Sequence, residues 1–205
     1  MFIDTIILDL GGVLVDWSPL YVYDDDYFPD LADRDYFFEH ICTADWNERQ
    51  DAGYSLQLAT EEKLREFPDL RWRQPILDFY GRWTEMLRGP LTETVTLFDQ
   101  LRSKDSYRFY ALTNWSAENF PIALQRFDFL HWFNGRLVSG EEGTRKPFPE
   151  FYRLLFDRYQ VDPARALFID DNLRNIKAAE AMGISGIHFI SAADLQKQLT
   201  QRGLL

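Results

Sequence analysis

Cysteine is almost absent from this chain of 205 residues, in which Cys42 is the only one. A single cysteine cannot form an intrachain disulfide, and it excludes the zinc sites that use several cysteine ligands. The three histidines, His40, His131 and His188, lack the spacing of a metal site, so we expect them to be structural. The composition indicates a reducing compartment, and we expect a cytoplasmic protein.

Positive charge is also scarce. The 22 lysine and arginine residues are outnumbered by 33 aspartate and glutamate residues, which gives a formal net charge of -11. Such a surface repels polyanions, so neither nucleic acid nor an anionic membrane is expected as a partner. No apolar run approaches the roughly 20 residues that a membrane-spanning helix needs. The first residues also lack the basic start and the small-residue cleavage site of a signal peptide.

The apolar content is ample for a folded core. Hydrophobic residues make up 46% of the chain and aromatic residues 16%, which differs clearly from the composition of disordered proteins. With 205 residues the chain is long for one minimal domain and short for two. We therefore expect one core with a sizeable insertion.

Short apolar runs that end in small or polar residues predict the strands of a buried parallel sheet. Segments with a helical spacing of apolar residues lie between these runs, for example Leu91 to Leu101 and Phe151 to Tyr159. Strands that alternate with helices indicate an α/β fold with a Rossmann-like parallel sheet, whose ligands bind beyond the carboxyl ends of the strands. The five predicted strands are Thr5–Leu10, Arg108–Leu112, Gly135–Val138, Ala166–Ile169 and Gly186–Ile190.

One long stretch does not follow this pattern. Between about Trp17 and Leu91 the chain is rich in aromatic and charged residues, has no clear strand, and is longer than an ordinary connection. We expect an inserted helical module of residues 17–91, and a core made of residues 1–16 and 92–205.

Polar residues gather at or soon after the ends of the predicted strands. Asp9 is followed by Gly11 and Gly12, which is typical of a turn but also lets a phosphate approach backbone N–H groups closely. Thr113 is either a helix N-cap or a hydroxyl donor to a phosphate, and Asn114 adds an amide donor.

Lys146 and the pair Asp170–Asp171 carry the charges of the candidate site. A lone lysine is usually a solvated surface charge, but Lys146 lies in a stretch that suits a fixed turn, where its ammonium can balance carboxylates and a bound phosphate. Two adjacent carboxylates at a strand end repel each other unless positive charge is present. A helix cap explains only one of them, so the second predicts a hard, oxygen-seeking cation such as Mg²⁺.

Taken in order, four segments resemble the motifs of the haloacid dehalogenase-like superfamily. Those motifs are a strand-end Asp, a strand-end Thr or Ser, a Lys, and a late acidic pair. The insertion between the first two motifs is similar in position to the helical cap of the phosphoglucomutase and epoxide-hydrolase-like subgroup, and the chain looks most like sugar phosphatases such as glucose-1-phosphatases. The matching segments are Ile7–Asp16, Ala111–Ser116, Arg145–Pro147 and Phe168–Asn175.

This resemblance implies a Mg²⁺-dependent phosphatase that acts on a small phosphorylated substrate, with a sugar phosphate as one candidate. Asp9 would be the nucleophile, whose carboxylate takes the phosphoryl group to form an aspartyl-phosphate. Thr113 and Lys146 would be catalytic and, together with Asn114, would bind the phosphoryl oxygens, which Gly12 would also approach. The Mg²⁺ ligands would be Asp9, the carbonyl of Gly11, Asp170 and Asp171.

Substrate choice is expected to reside in the cap. The stretch Trp46–Gly53 mixes an aromatic residue with several hydrogen-bonding residues, although an ordinary interhelical loop would look similar. We predict that Trp46, Asn47 and Gln50 face the site, and that Trp115 lines the same cleft.

The main departure from the family pattern is at residue 11. Most phosphatases of the family place a second Asp two positions after the nucleophile, where it protonates the leaving group and then activates water. Gly11 occupies that position here, and losing a general acid typically costs about 10²–10⁴-fold in rate. Two alternatives stay open: a 2-haloacid dehalogenase, which needs neither that Asp nor a metal, and a non-catalytic homologue that binds a phosphorylated ligand or a protein. The pair Asp170–Asp171 favours the phosphatase.

Overall fold

The computed structural model of the chain describes residues 2–205, and its centre is a parallel sheet of five strands. All five predicted strands are confirmed, with the first ending earlier and the last shifted by a residue or two. In chain order the strands are β1 (Thr5–Leu8), β2 (Val15–Trp17), β3 (Leu87–Pro90), β4 (Arg108–Thr113), β5 (Gly135–Val138), β6 (Ala166–Asp170) and β7 (Ser185–His188). The spatial order β5-β4-β1-β6-β7 places β1 at the centre, so the expected α/β fold is confirmed.

Helices connect the strands and cover both faces of the sheet. None of those described within residues 2–205 is both long and apolar enough to cross a membrane. A π-helical turn at Phe37–Ile41 extends the first helix, and short 3₁₀ turns lie at Pro19–Tyr21, Asp128–His131 and Pro163–Arg165. The α-helices are α1 (Leu31–Tyr36), α2 (Ala44–Asp51), α3 (Leu56–Glu66), α4 (Leu70–Gly81), α5 (Trp83–Met86), α6 (Thr92–Arg102), α7 (Phe120–Arg126), α8 (Ser139–Glu142), α9 (Pro149–Tyr159), α10 (Leu173–Ala181) and α11 (Ala192–Gln201).

The sheet is buried on both faces because successive side chains of a strand point to opposite sides. Ile6 and Leu8 of β1 pack into one apolar layer, which α6 and α11 complete with residues such as Leu97 and Leu199. Ile7 packs into the other layer, which α9 and α10 complete. Burial on both sides explains why these strands read as continuous apolar runs rather than as alternating ones.

The stretch 17–91 is mainly helical, as expected, but the expectation that it lacks a strand is wrong. Its last residues form β3, which pairs antiparallel with β2, with an irregularity between Asp16 and Trp17. The chain leaves the core through β2 and returns to it through β3, and these two segments lie side by side. The sequence of β3, with Gly89 and Pro90, carries no strand pattern that could have revealed it.

Aromatic rings form the interior of the inserted unit. The ring of Tyr23 lies 5.1 Å from that of Phe37 and 5.8 Å from that of Phe28, and the ring of Phe37 lies 6.2 Å from that of Trp72. The hydroxyl of Tyr23 donates to the carbonyl of Pro75 at 2.7 Å, so the buried phenol is satisfied. We propose that this unit, residues 17–91, is the cap that the sequence predicts.

Candidate active site

The parallel strands bring four polar segments to one edge of the sheet. Leu8, the last residue of β1, is in register with Ala111 of β4 and with Ile169 of β6. Asp9 continues this alignment, since its N–H donates to the carbonyl of Ile169 at 2.9 Å. The side chains that follow the three central strands therefore meet at their shared carboxyl end.

A carboxylate cluster forms there from Asp9, Asp170 and Asp171. Each offers an oxygen that lies within 4.8 Å of the other two. The ammonium of Lys146 is fully buried and lies 2.8 Å from Oδ2 of Asp9 and 2.7 Å from Oδ2 of Asp170. The structure thus brings together the first, third and fourth segments that the sequence singled out.

Asp170 is held in place by several donors. Its Oδ1 accepts from the backbone N–H of Asn172 at 2.7 Å, and both of its oxygens accept from the side-chain amide of Asn175 at 3.1 and 3.0 Å. Asn172, rather than either aspartate, caps α10 by accepting from the N–H of Arg174. Neither carboxylate of the pair is therefore used as a helix cap, and the sequence reasoning gave Asn175 no role although it lies within the fourth motif.

The cluster holds more carboxyl groups than cations. Three carboxylates face one ammonium, and burial raises the pKa of Asp9 to about 8 although Lys146 opposes the shift. Burial and the neighbouring Asp170 also raise the pKa of Asp171. Burial disfavours the charged form of Lys146, but Asp170 and Asp9 outweigh it and raise its pKa. A hard divalent cation among these oxygens would supply the missing positive charge, so the residues present fit Mg²⁺.

The loop after Asp9 requires glycine at position 12. Gly12 has φ of +72°, and a Cβ at this position would lie 2.2 Å from Oδ2 of Asp171. Its N–H donates to the carbonyl of Val15 at 2.9 Å. Its N–H closes the loop, and the residue provides room for Asp171. The approach of a phosphate to Gly12 stays a prediction.

Thr113 and Asn114 end β4 and differ in what they offer. Thr113 is buried, its Oγ1 has no hydrogen-bond partner, and the next α-helix begins only at Phe120, so it is not a helix cap. Asn114 bonds to Lys146 at both ends of its amide, since one N–H donates to the carbonyl of Lys146 at 3.0 Å and its Oδ1 accepts from the N–H of that residue at 2.9 Å. Thr113 is free to donate to a ligand, and Asn114 fixes the backbone that carries the lysine. The role of Asn114 as a donor to phosphate stays a prediction, which its second amide N–H allows.

A cleft lies between the cap and the loops that follow β1 and β4. It encloses about 450 Å³ of empty space, including its opening to solvent. Trp17 and Trp115 line it and keep indole N–H groups that are buried without a partner, as is Oδ1 of Asn119. Buried polar atoms normally find partners, so these groups point to a ligand in the cleft. The lining residues are Gly11, Trp17, Asn47, Asp51, Tyr80, Trp83, Asn114, Trp115, Ser116 and Asn119.

Helix α2 supplies the cap side of the cleft, but with only one of the three predicted residues. Asn47 lines the cleft and donates to Oδ2 of Asp51 at 3.2 Å. The prediction is wrong for Trp46, whose ring packs inside the cap, 5.1 Å from that of Phe79. Gln50 is also completely buried and is not part of the cleft wall. Residues four apart share a helix face, so 46 and 50 turn inward together while 47 and 51 face the cleft.

Charged and polar contacts hold α2 against the core. Glu48 pairs with Arg145 at 2.5 Å and also with Arg174. The hydroxyl of Ser139 donates to the carbonyl of Asp51 and accepts from the N–H of Trp115 at 2.8 Å. The cap side of the cleft is therefore fixed relative to the strand ends.

The chain is similar in sequence to known proteins, one of them over nearly its whole length. The chain is 33% identical over 195 residues to the sesquiterpene phosphatase astK of Aspergillus oryzae, covering 95% of this chain and 94% of that protein. It is 32% identical over 95 residues to the drimenol cyclase drtB of Aspergillus calidoustus, of which the match spans only 18%, and 46% of this chain.

A solved structure shows the same fold. The enzyme bt-2542 of Bacteroides thetaiotaomicron, in complex with magnesium and inorganic phosphate, superposes with a TM-score of 0.68 at 20% identity, covering 92% of this chain and 95% of that one. The sequence profile of the haloacid dehalogenase-like hydrolases matches residues 3–183. The chain belongs to the haloacid dehalogenase-like hydrolases.

Proposed function

We propose that this hydrolase is a Mg²⁺-dependent phosphatase that cleaves a small phosphomonoester through an aspartyl-phosphate on Asp9. The observation that carries the proposal is the carboxylate cluster: Asp9 and Asp170 are buried against Lys146, and Asp171 adds a third carboxylate within reach of the same ion. Three convergent carboxylates fit a bound cation, which a metal-free haloacid site does not use. The doublet Asp170–Asp171 therefore favours the phosphatase over the 2-haloacid dehalogenase.

Asp9, Asp170 and Asp171 would hold the metal, and we keep the carbonyl of Gly11 as a fourth proposed ligand. Bound there, Mg²⁺ neutralises the charge of the carboxylates and of the phosphoryl group, which lets one anion approach another.

The chain's own residues then have distinct tasks. Asp9 attacks phosphorus, so that a bond forms from its carboxylate oxygen while the bond to the leaving-group oxygen breaks. The ammonium of Lys146, which lies beside Asp9, and the unpaired hydroxyl of Thr113 would donate to the phosphoryl oxygens. Water hydrolyses the aspartyl-phosphate, which releases phosphate and regenerates the carboxylate.

The cleft indicates the kind of leaving group. Its wall combines Trp17, Tyr80, Trp83 and Trp115 with a few polar side chains, which suits a largely apolar group anchored by a few hydrogen bonds. The sesquiterpene phosphatase astK is similar over almost the full length of the chain. Both observations support an apolar alcohol phosphate over the sugar phosphate that the sequence suggested.

The test is turnover of p-nitrophenyl phosphate with and without Mg²⁺, by wild-type protein and by Asp9→Asn. We expect Mg²⁺-dependent turnover that Asp9→Asn abolishes. Asp105→Asn is the matched control: it is an exposed position at the other end of β4 with φ of +51°, which Asn adopts readily. Turnover that survives Asp9→Asn would refute the proposed nucleophile. No turnover of this ester or of any alkyl phosphate would favour the binding-only homologue.

A further inference from the structure

The glycine at position 11 leaves a place in the reaction without an obvious occupant. Nothing lies within 4 Å of where a Cβ of Gly11 would be, so packing does not demand a glycine there. The space beside it belongs to the cleft, whose opposite side comes from α2 of the cap. A proton donor for the leaving group can therefore come from the cap.

Asp51 is the one carboxylic acid in the cleft wall. It is the last residue of α2, and its Oδ2 accepts from the amide of Asn47, which in turn accepts from the hydroxyl of Tyr80 at 3.0 Å. Its backbone carbonyl accepts from Ser139 of the core. The side chain is partly buried and lines the same cleft as Gly11 and Asn114. These hydrogen bonds fix both its carboxylate and its backbone carbonyl.

We propose that Asp51 is the general acid and base of the reaction and takes the place of the side chain that Gly11 lacks. This rests on the proposed function of the site. In the first step the Asp51 carboxyl gives its proton to the leaving-group oxygen as the P–O bond breaks and the bond from Asp9 to phosphorus forms. In the second step the Asp51 carboxylate takes a proton from the water that attacks phosphorus, the bond to Asp9 breaks, and the first protonation state returns.

The surroundings of Asp51 suit both steps. Burial raises its pKa to about 7 and Glu48 adds to the shift, while Arg145, Lys146 and the backbone of Ser116 oppose it. The hydroxyl of Tyr80 faces it from α4, and burial and the charge of Asp51 raise the pKa of that hydroxyl. A carboxyl that titrates near neutrality exchanges a proton more effectively than one of ordinary pKa, which would be ionised throughout. Glu48 is committed to Arg145 and Arg174 and is not a competitor for the role.

The experiment compares Asp51→Asn with wild-type protein in the presence of Mg²⁺. The two substrates, p-nitrophenyl phosphate and phenethyl phosphate, are similar in size. The first has a leaving group that needs little protonation, and the second has an alkoxide that needs a proton. We expect kcat/KM for phenethyl phosphate to fall by about 10²–10⁴-fold, with little change for p-nitrophenyl phosphate. We also expect a burst of p-nitrophenol in the first turnover of Asp51→Asn, because hydrolysis of the aspartyl-phosphate lacks its base. The matched control is Asp45→Asn, the same change at an exposed position of the same helix, which should alter neither value.

Equal losses on the two esters, without a burst, would overturn the role of Asp51 while leaving the phosphatase intact. Failure of the proposed function looks different, because wild-type protein would then hydrolyse neither ester. A second measurement needs only wild-type protein: kcat/KM for a series of phosphate esters whose leaving groups rise in pKa. If an acid in the cleft protonates the leaving group, kcat/KM falls only slightly as the leaving-group pKa rises. A steep fall overturns the proposal.

Discussion

Replacing Lys146 by methionine tests the charge balance of the site. Methionine keeps the length and the apolar stem of the side chain but removes the ammonium that lies 2.8 Å from Asp9 and 2.7 Å from Asp170. Asp170 is fully buried, so its charge cannot turn to water when the partner is lost. Removing one member of a buried ion pair typically costs about 3–5 kcal/mol, and we expect the metal-free variant to lose that much free energy of unfolding.

The pH dependence of this loss has a definite sign. Lys146 is charged throughout the range from pH 5 to 9, because the carboxylates raise its pKa above the ordinary value of 10.5. The dependence therefore comes from Asp9. Burial raises its pKa to about 8, and this pKa rises further in the variant because Lys146 no longer opposes the shift. A carboxyl with a raised pKa keeps its proton in the folded protein at a pH where the unfolded chain has lost it. Rising pH then favours the unfolded chain, so the loss of free energy of unfolding in the variant should grow from pH 5 to pH 9.

Urea unfolding at several pH values, without metal, measures this deficit. Lys177→Met is the control, since Lys177 is exposed on α10 and its change should alter stability by less than about 0.5 kcal/mol. A deficit below about 1 kcal/mol for Lys146→Met, or one that shrinks as pH rises, would refute the buried charge cluster described above.

Three further outcomes follow from the same geometry. Gly12→Ala should weaken Mg²⁺ binding measured by calorimetry, because the new Cβ would collide with Asp171. The control is Gly143→Ala, where φ is +66° but the space around the new Cβ is open, and equal Mg²⁺ affinities of the two variants would contradict this prediction. Mg²⁺ should bind more tightly at pH 8 than at pH 6, because it displaces protons from Asp9, whose pKa burial raises to about 8; an affinity independent of pH would count against the assigned ligands. Glu48→Gln should raise KM more than it lowers kcat, because it removes both ion pairs that hold α2 on the core, and an unchanged KM would argue against that docking.

The sheet could be predicted from the sequence because strands buried on both faces are continuous apolar runs. The polar residues that follow β1, β4 and β6 could then be placed together, since parallel strands end at one edge. The ribbon of β2 and β3 could not be predicted, because it is held by backbone pairing and by the path of the chain.

The cap side of the site was harder to predict. Trp46, Asn47, Gln50 and Asp51 lie on one helix, and the pattern of polar residues does not reveal which face turns inward. Gln50 is polar and yet completely buried, so polarity misleads at that position. The sequence did not single out Asp51 or Asn175 for a related reason. Asp51 accepts from Asn47, four residues before it, and Asn175 donates to Asp170, five residues before it. Such contacts can be recognised only once the helices are placed.

The most direct test of the central claim is mass spectrometry of wild-type protein quenched in acid during turnover of p-nitrophenyl phosphate with Mg²⁺. We predict one phosphoryl group on the peptide that contains Asp9, and none on the same peptide of Asp9→Asn. Release of phosphate without any modification of Asp9, or with the phosphoryl group on another residue, would contradict the account.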